Sequence, residues 1–426
     1  MNAWRKPRLV VFAHLCNADF VTGAEKLTAF MQRELAAYYD CILTVPGEGR
    51  IAADARAAGF RTVVLPLPLA VSFYLGLPHW HREVRDGMAG EPFRQLVRWL
   101  AAEEPAAVVT ATCVHPLPAV AARALGVPVV WAVMETLQET PYTADIAAFM
   151  GAHADRIAGI SESVLAPFRQ PDVQAKSVLL PPSWDERETR PEEWPLNRDS
   201  MRRMLGIDGG QPLVGFIASS IYANKGFHHF MEATLAAAAR HPEARFLIVG
   251  NPVDQPYFDA GLGMAREAGV IDRYRWIRYE SRIERIYPAL DALVVPSLMA
   301  EGFGLTALEG MMFGKPVISY ASGGLAEIHA ATGNSERALP PGDVAALAAA
   351  LIGLLDQPDQ MAGIGARSRE AAIAAYGIDA YRARLQAFLA AFRPETLPRA
   401  ALIRGSGPAV YQRQGIALRR FATKAA

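Results

Sequence analysis

Strand-length runs rich in Val, Ile, Leu and Ala recur along the chain at residues 9–15, 42–45, 62–67, 107–112, 129–133 and 156–160. Between them lie Ala/Leu/Arg-rich stretches with helical patterning, such as 25–38 and 117–125. A continuously apolar strand has to be covered on both faces, and a helix between successive strands is the connection a parallel pair requires. The pattern therefore predicts an α/β domain built as a doubly wound parallel sheet. A second series follows at 213–218, 246–249, 276–279, 293–296 and 317–320. One hydrophobic core stops growing at roughly 250–300 residues, so a chain of 426 residues with two such series reads as two doubly wound, Rossmann-like domains.

The boundary is placed at 181–199, where Pro181, Pro182, Pro191 and Pro195 stand among Glu and Arg in a composition that suits a solvated linker or hinge. Residues 379–392 read as a terminal helix. The remainder, from 394 on, carries five Arg, one Lys, Pro and Gly with little periodicity and is expected to be a mobile tail.

Lys plus Arg (43) equal Asp plus Glu (43), and hydrophobic residues make up 51%. That balance excludes a disordered chain and a globally basic nucleic-acid binder. Cys16, Cys41 and Cys113 are not closely spaced, which argues against a disulfide framework or zinc cluster and for a reducing, cytoplasmic setting. Arg5, Lys6 and Arg8 ahead of an apolar run imitate a signal peptide, but the run is strand-length, holds His14 and is followed by no small-residue cleavage pattern, so it reads as a first buried strand. No uncharged apolar run reaches the ~18 residues of a membrane span.

In doubly wound sheets ligands bind beyond the carboxyl ends of the strands, so two such domains facing one another place the default site in an interdomain cleft. The segment Pro296-Ser-Leu-Met-Ala-Glu301-Gly302-Phe303-Gly304-Leu305-Thr306-Ala-Leu-Glu309-Gly310 leaves an apolar strand, turns through two glycines and enters a helix. Free N–H groups at a helix N-terminus can meet a diphosphate, and glycine removes the side chain that would obstruct it. Glu309, about one turn in, can accept hydrogen bonds from two vicinal hydroxyls such as a ribose diol, and Glu301 can reach a sugar ring. The stretch from Thr306 to Glu309 equally fits a capping box that merely closes the helix. Lys225, in Ser219-Ser220-Ile-Tyr-Ala-Asn-Lys225-Gly226, also follows a strand and can neutralise a leaving diphosphate.

In the first domain, Asp19-Phe-Val-Thr22-Gly23-Ala24-Glu25 joins a strand to a helix; Gly23 can admit a phosphate or sugar, or the segment is an ordinary turn. It lacks the full glycine fingerprint of a dinucleotide site. His14 and His115 stand at strand ends, as do Asn251 and the run from Arg278 to Arg282.

Taken together, Glu301-x7-Glu309, Lys225-Gly226, Thr22-Gly23-Ala24-Glu25, Gly314-Lys-Pro-Val-Ile318 and Gly323-Gly324-x-x-Glu327 resemble glycosyltransferase family 4, of fold type GT-B, over most of residues 8–390. The resemblance implies an N-terminal acceptor-side domain (1–182), a C-terminal nucleotide-sugar donor domain (183–378), a helix (379–393) packing back on the N-terminal domain and a tail (394–426). It implies retention of anomeric configuration, a UDP- or GDP-sugar donor, and no metal or other cofactor, and the absence of Asp-x-Asp agrees with the last. Glu309 is then the ribose ligand, Glu301 faces the donor sugar, Lys225 holds the diphosphate, and the backbone from Gly302 to Thr306 lines the pocket. By their chemistry and their places near strand ends, Gly23, Ser219, Ser220 and Asn251 read as further donor contacts.

Two positions depart from the family pattern. Ser219 stands where an Arg is common, and the segment Trp131-Ala-Val-Met134-Glu135-Thr136 lacks the usual His, leaving Glu135 as the nearest polar group, either to contact acceptor or donor hydroxyls or to cap a turn. The resulting expectation is a retaining hexosyltransferase with Glu301, Lys225 and Glu135 at its reacting centre, making a glycan, glycolipid or glycosylated metabolite. A sugar-nucleotide epimerase and a non-catalytic nucleotide-sugar or glycan-binding protein remain alternatives. A lipid-linked acceptor and peripheral contact with the inner face of a membrane fit the basic tail, Arg399, Arg404, Arg413, Arg419, Arg420 and Lys424.

Overall fold

The computed structural model describes residues 6–18, 21–184, 186–280, 282–392 and 394. Asp19 and the basic tail lie outside the described residues. The chain forms two compact units, one from residues up to Pro182 together with those from Tyr381 on, the other from Ser183 to Ala380.

The first unit is built on β1 (Arg8–Phe12), β2 (Asp40–Val45), β3 (Arg61–Val64), β4 (Ala107–Ala111), β5 (Val129–Val133), β6 (Arg156–Gly159) and β7 (Ser177–Leu179). They form one sheet in the order β3-β2-β1-β4-β5-β6-β7, parallel throughout. Every residue of β4 and β5 is buried, as apolar strands covered on both faces require. The helix Gly23–Leu35 starts from a capping box between Thr22 and Glu25. The helix Ile378–Ala391 closes this unit: the Tyr381 ring meets Phe30 at 4.8 Å, and Arg382 grips Glu34 with two hydrogen bonds of 2.7 and 3.1 Å.

The second unit holds β8 (Leu213–Ile221), β9 (Arg245–Pro252), β10 (Tyr274–Ile277), β11 (Ala292–Val295), β12 (Val317–Tyr320) and β13 (Ala338–Leu339). Their order is β10-β9-β8-β11-β12-β13, again parallel. Phe216, Phe227, Phe230, Phe246 and Phe258 are buried together in its core, each adding roughly 1.5–3 kcal/mol of burial. In both sheets the chain winds outward one way and then the other, so the winding reverses between β1 and β4 and between β8 and β11.

The structure differs from expectation at 181–199. Helical turns occupy Glu186–Thr189 and Pro191–Glu193, and a regular helix runs over Trp194–Leu205. Arg198 and the buried Arg202 reach Asp291 at 2.7 and 3.1 Å, and Asp291 also accepts the N–H of Leu213 at 2.8 Å. This stretch is an anchor at the start of β8 rather than a solvated linker. Among the described residues no helix is long and apolar enough to cross a membrane.

Candidate functional site

In the second unit the loops after β8 and β11 emerge on either side of the reversal point, the place where open α/β sheets leave a crevice. After β8 the chain makes a short turn, Ala223–Lys225, and Gly226 adopts φ +73°. A Cβ on Gly226 would stand 1.9 Å from the carbonyl oxygen of Pro296, so glycine is what allows the two loops to touch. Leu298 N–H donates to Asn224 O at 2.8 Å across the same seam.

The seam brings Lys225 to Glu301: Nζ donates to Oε1 at 2.6 Å, and Ser297 Oγ donates to the same oxygen at 2.7 Å. The backbone of Glu301 is fixed by the helix that begins after Gly323, with Gly324 N–H donating to Glu301 O at 2.8 Å. A Cβ on Gly323 would meet Glu301 O at 2.3 Å and one on Gly324 would meet Phe303 O at 2.5 Å. Glycine at both positions thus permits backbone-to-backbone packing.

Gly304, at φ +101°, is the cap of the helix Leu305–Met312 and offers no side-chain hydrogen bond. This corrects the capping-box reading, because Thr306 lies inside the helix. The carbonyl of Gly304 serves Ala307 and Leu308, while helix geometry gives the N–H groups of Leu305 and Thr306 no carbonyl within the helix. Phe303 turns its ring into the core against Tyr376 at 5.3 Å, so its backbone is the part that faces the loop.

Glu309 accepts a hydrogen bond from the hydroxyl of Tyr287 at 2.8 Å. Tyr287 is wholly buried and stacks on Phe313 at 5.1 Å; burial first, and the nearby Glu309 charge second, hold its phenol protonated far above the usual range. Tyr287 was not visible as a site residue in the sequence, since it sits in a short turn, Tyr287–Ala289, that carries no motif.

Ser219 and Ser220 lie at the end of β8, where the register with β9 is irregular. Ser220 pairs in register with Asn251, whose Oδ1 accepts from Arg278 Nε at 2.8 Å. These residues follow the carboxyl edge of β8, β9 and β10, whereas Lys225, Glu301, Gly302, Gly304, Leu305, Thr306 and Glu309 surround the reversal point.

In the first unit, Gly23 is simply the first residue of its helix. Glu25 is buried and closes the preceding loop by accepting from Asn17 N–H (3.0 Å), Asn17 Nδ2 (2.8 Å) and Thr22 N–H (2.8 Å). Glu135 follows β5, and its Oε1 accepts from Cys113 N–H at 2.6 Å. Burial pushes the Glu135 carboxyl up to about 7 against the opposing pull of backbone N–H groups. Burial likewise lowers His14 to about 4 and His115 to about 3, so both imidazoles are neutral at pH 7.

Residues 197–371, which contain Lys225, Tyr287, Glu301 and Glu309, match the family model described as Glycosyl transferases group 1. The 2-deoxystreptamine glucosyltransferase of Streptomyces kanamyceticus is 31% identical over 172 residues, 40% of this chain and 43% of that protein. The D-inositol 3-phosphate glycosyltransferase of Mycolicibacterium smegmatis is 36% identical over 137 residues, 31% of this chain and 30% of that one. The chain thus covers less than half the length of these relatives. Among solved structures, Anabaena HepE in complex with UDP-glucose superposes with a TM-score of 0.72 at 15% identity, covering 91% of this chain and all of that one. WaaG, a glycosyltransferase involved in lipopolysaccharide biosynthesis, gives 0.63 at 17% identity over 89% of this chain and 98% of its own. The fold is GT-B, with two Rossmann-like units.

Proposed function

We propose that the protein is a retaining glycosyltransferase whose second unit binds a nucleoside diphosphate-sugar and whose first unit binds the acceptor. The observation that carries this reading is the Lys225–Glu301 pair at the β8/β11 reversal, beside the N-terminus of the helix Leu305–Met312 and with Glu309 held in place by Tyr287. Lys225 and the helix N–H groups meet the diphosphate, Glu309 the ribose diol, and Glu301 the donor sugar. Ser219, Ser220 and Asn251 border the nucleotide. The group 1 match over 197–371 and the UDP-glucose complex of a protein with the same fold support a UDP- or GDP-sugar as donor.

In the proposed reaction the acceptor oxygen bonds to the anomeric carbon on the face from which the diphosphate departs. The electron pair of the breaking C–O bond leaves with the diphosphate, and a phosphate oxygen takes the acceptor proton. Such a step needs positioning and charge stabilisation more than a strong protein base, and Lys225 with the helix N–H groups supplies that charge without calling on a metal. The test is a panel of UDP- and GDP-sugars with candidate acceptors, followed by anomeric NMR and repeated with chelator. Release of free nucleoside diphosphate with a product of the donor's anomeric configuration, undiminished by chelator, is expected. Donor binding with no release, or isomerised donor with no acceptor consumed, would overturn it.

A further inference from the structure

The carboxyl ends of β1, β4 and β5 hold a polar cluster that the proposed donor site does not use. It lies at the reversal point of the first sheet, where a doubly wound unit leaves its crevice. His14 follows β1, His115 follows β4, and Glu135 follows β5. His14 and His115 are 8% and 2% exposed. Each end of the cluster has polar atoms that are buried and unpartnered: His14 Nδ1, both ring nitrogens of His115, and Thr136 Oγ1. Leaving one such atom unsatisfied costs about 1–3 kcal/mol, so neighbouring strand ends that gather several are poorly explained by stability alone. Glu135 and Thr136 are partly exposed, and the cluster opens to solvent at that edge.

The charges acting on these groups define what they can hold. His14 feels Glu25, His115 feels His14, and Glu135 is governed by burial, backbone N–H groups and a hydrogen bond with the Thr112 side chain. Among the described residues no Lys or Arg forms a hydrogen bond or ion pair with any of the three. A phosphate or carboxylate placed there would be a buried anion without a cation. Each neutral imidazole instead presents one donor and one acceptor, which is what a hydroxyl offers in return.

We infer that His14, His115 and Glu135 form the acceptor-binding site and select an uncharged, polyhydroxylated acceptor over a phosphorylated or carboxylated one. The word acceptor rests on the function proposed above; the preference for neutral hydroxyls rests on this cluster alone.

The test uses the 426-residue chain with labelled histidines, its nine imidazoles resolved by NMR and the two of interest assigned with His14→Gln and His115→Gln. Glycerol serves as the neutral probe and inorganic phosphate as the anionic one, with no donor present. Glycerol should shift the His14 and His115 lines saturably while the other seven stay in place, and phosphate should leave both lines unmoved. Glu135→Gln, with those other lines confirming its fold, should weaken the glycerol response severalfold. Phosphate shifting the two lines where glycerol does not, or neither probe shifting them, would overturn the inference. Failure of UDP binding in the second unit would remove the donor reading without touching this result.

Discussion

Lys225 and Glu301 stand 76 residues apart in the chain and form an ion pair of 2.6 Å. Glu301 therefore already neutralises the cation that a diphosphate would seek, and Ser297 donates to the same carboxylate oxygen. On the proposed function, a diphosphate bound at Lys225 would share or displace that carboxylate, which would then become available to the donor sugar. On the proposed function, one residue would both restrain nucleotide binding and serve the sugar.

Two substitutions separate these roles. Lys225→Ala should weaken UDP binding by roughly 10- to 100-fold, the 1.5–3 kcal/mol typical of a hydrogen bond to a charged group. Its stability should change by less than about 1 kcal/mol, since the pair is partly exposed. Glu301→Gln releases Lys225 and should tighten free UDP severalfold while lowering transfer from a UDP-sugar. Titration calorimetry with UDP, set beside a transfer assay, checks both; weaker UDP binding in Glu301→Gln would refute the restraint.

Tyr287 acts through Glu309. Its hydroxyl is the donor that fixes the carboxylate, so Tyr287→Phe should reduce nucleotide affinity by roughly 2- to 10-fold, corresponding to the 0.5–1.5 kcal/mol of one hydrogen bond. Glu309→Ala should cost more, because it removes the proposed ribose ligand itself. Equal affinities in wild type and Glu309→Ala would end the ribose assignment.

The fold was legible because nearly every central strand is an apolar run that needs no tertiary information to be seen. The misses follow from physics local patterns do not carry. The edge strands β7 and β13 have three and two residues, too short for any period. β3 stops at Val64, just before the prolines Pro66 and Pro68. Residues 181–199 look like linker by composition, yet the helix that begins at Trp194 is fixed by Arg198 and Arg202 on an aspartate about ninety positions away. For the site, sequence offered Lys225, Glu301 and Glu309 as one set of motifs but without their contacts. Their coupling, and Tyr287 as the support of Glu309, appear only when β8 and β11 are adjacent.

Gly226 tests the seam between those loops. Alanine there faces both an unfavourable φ of +73° and a backbone oxygen 1.9 Å from its Cβ. Gly206 has a similar φ, +66°, with nothing within 4 Å of the place an added Cβ would take. Gly206→Ala should cost about 1 kcal/mol, the left-handed penalty alone, and Gly226→Ala at least about 2–3 kcal/mol more, since backbone has to move. Chemical denaturation of the two variants gives the difference directly, and UDP affinity should fall in Gly226→Ala only. Equal destabilisation would mean the loops are not locked together.

Glu135 makes a prediction about pH. Its carboxyl titrates at about 7 in the folded chain against an ordinary 4.5. Below pH 4.5 both folded and unfolded states hold the proton and the contribution to stability is complete. As pH rises to 7 the unfolded state ionises first, so stability is lost across that window and the loss levels off above it. At about 1.4 kcal/mol per unit, and discounted because the residue is partly exposed, the change should be on the order of 1–3 kcal/mol. His14 and His115, with lowered values of about 4 and 3, act in the opposite sense, removing stability as pH falls below 6.5. They are present in wild type and in Glu135→Gln alike, so the difference between the two proteins isolates the carboxyl. Urea midpoints measured from pH 4.5 to 8 should show Glu135→Gln gaining on wild type up to pH 7 and then running parallel to it. A difference independent of pH would mean that Glu135 is ionised like an ordinary surface carboxylate, and the neutral character assigned to the cluster would lose its acidic member.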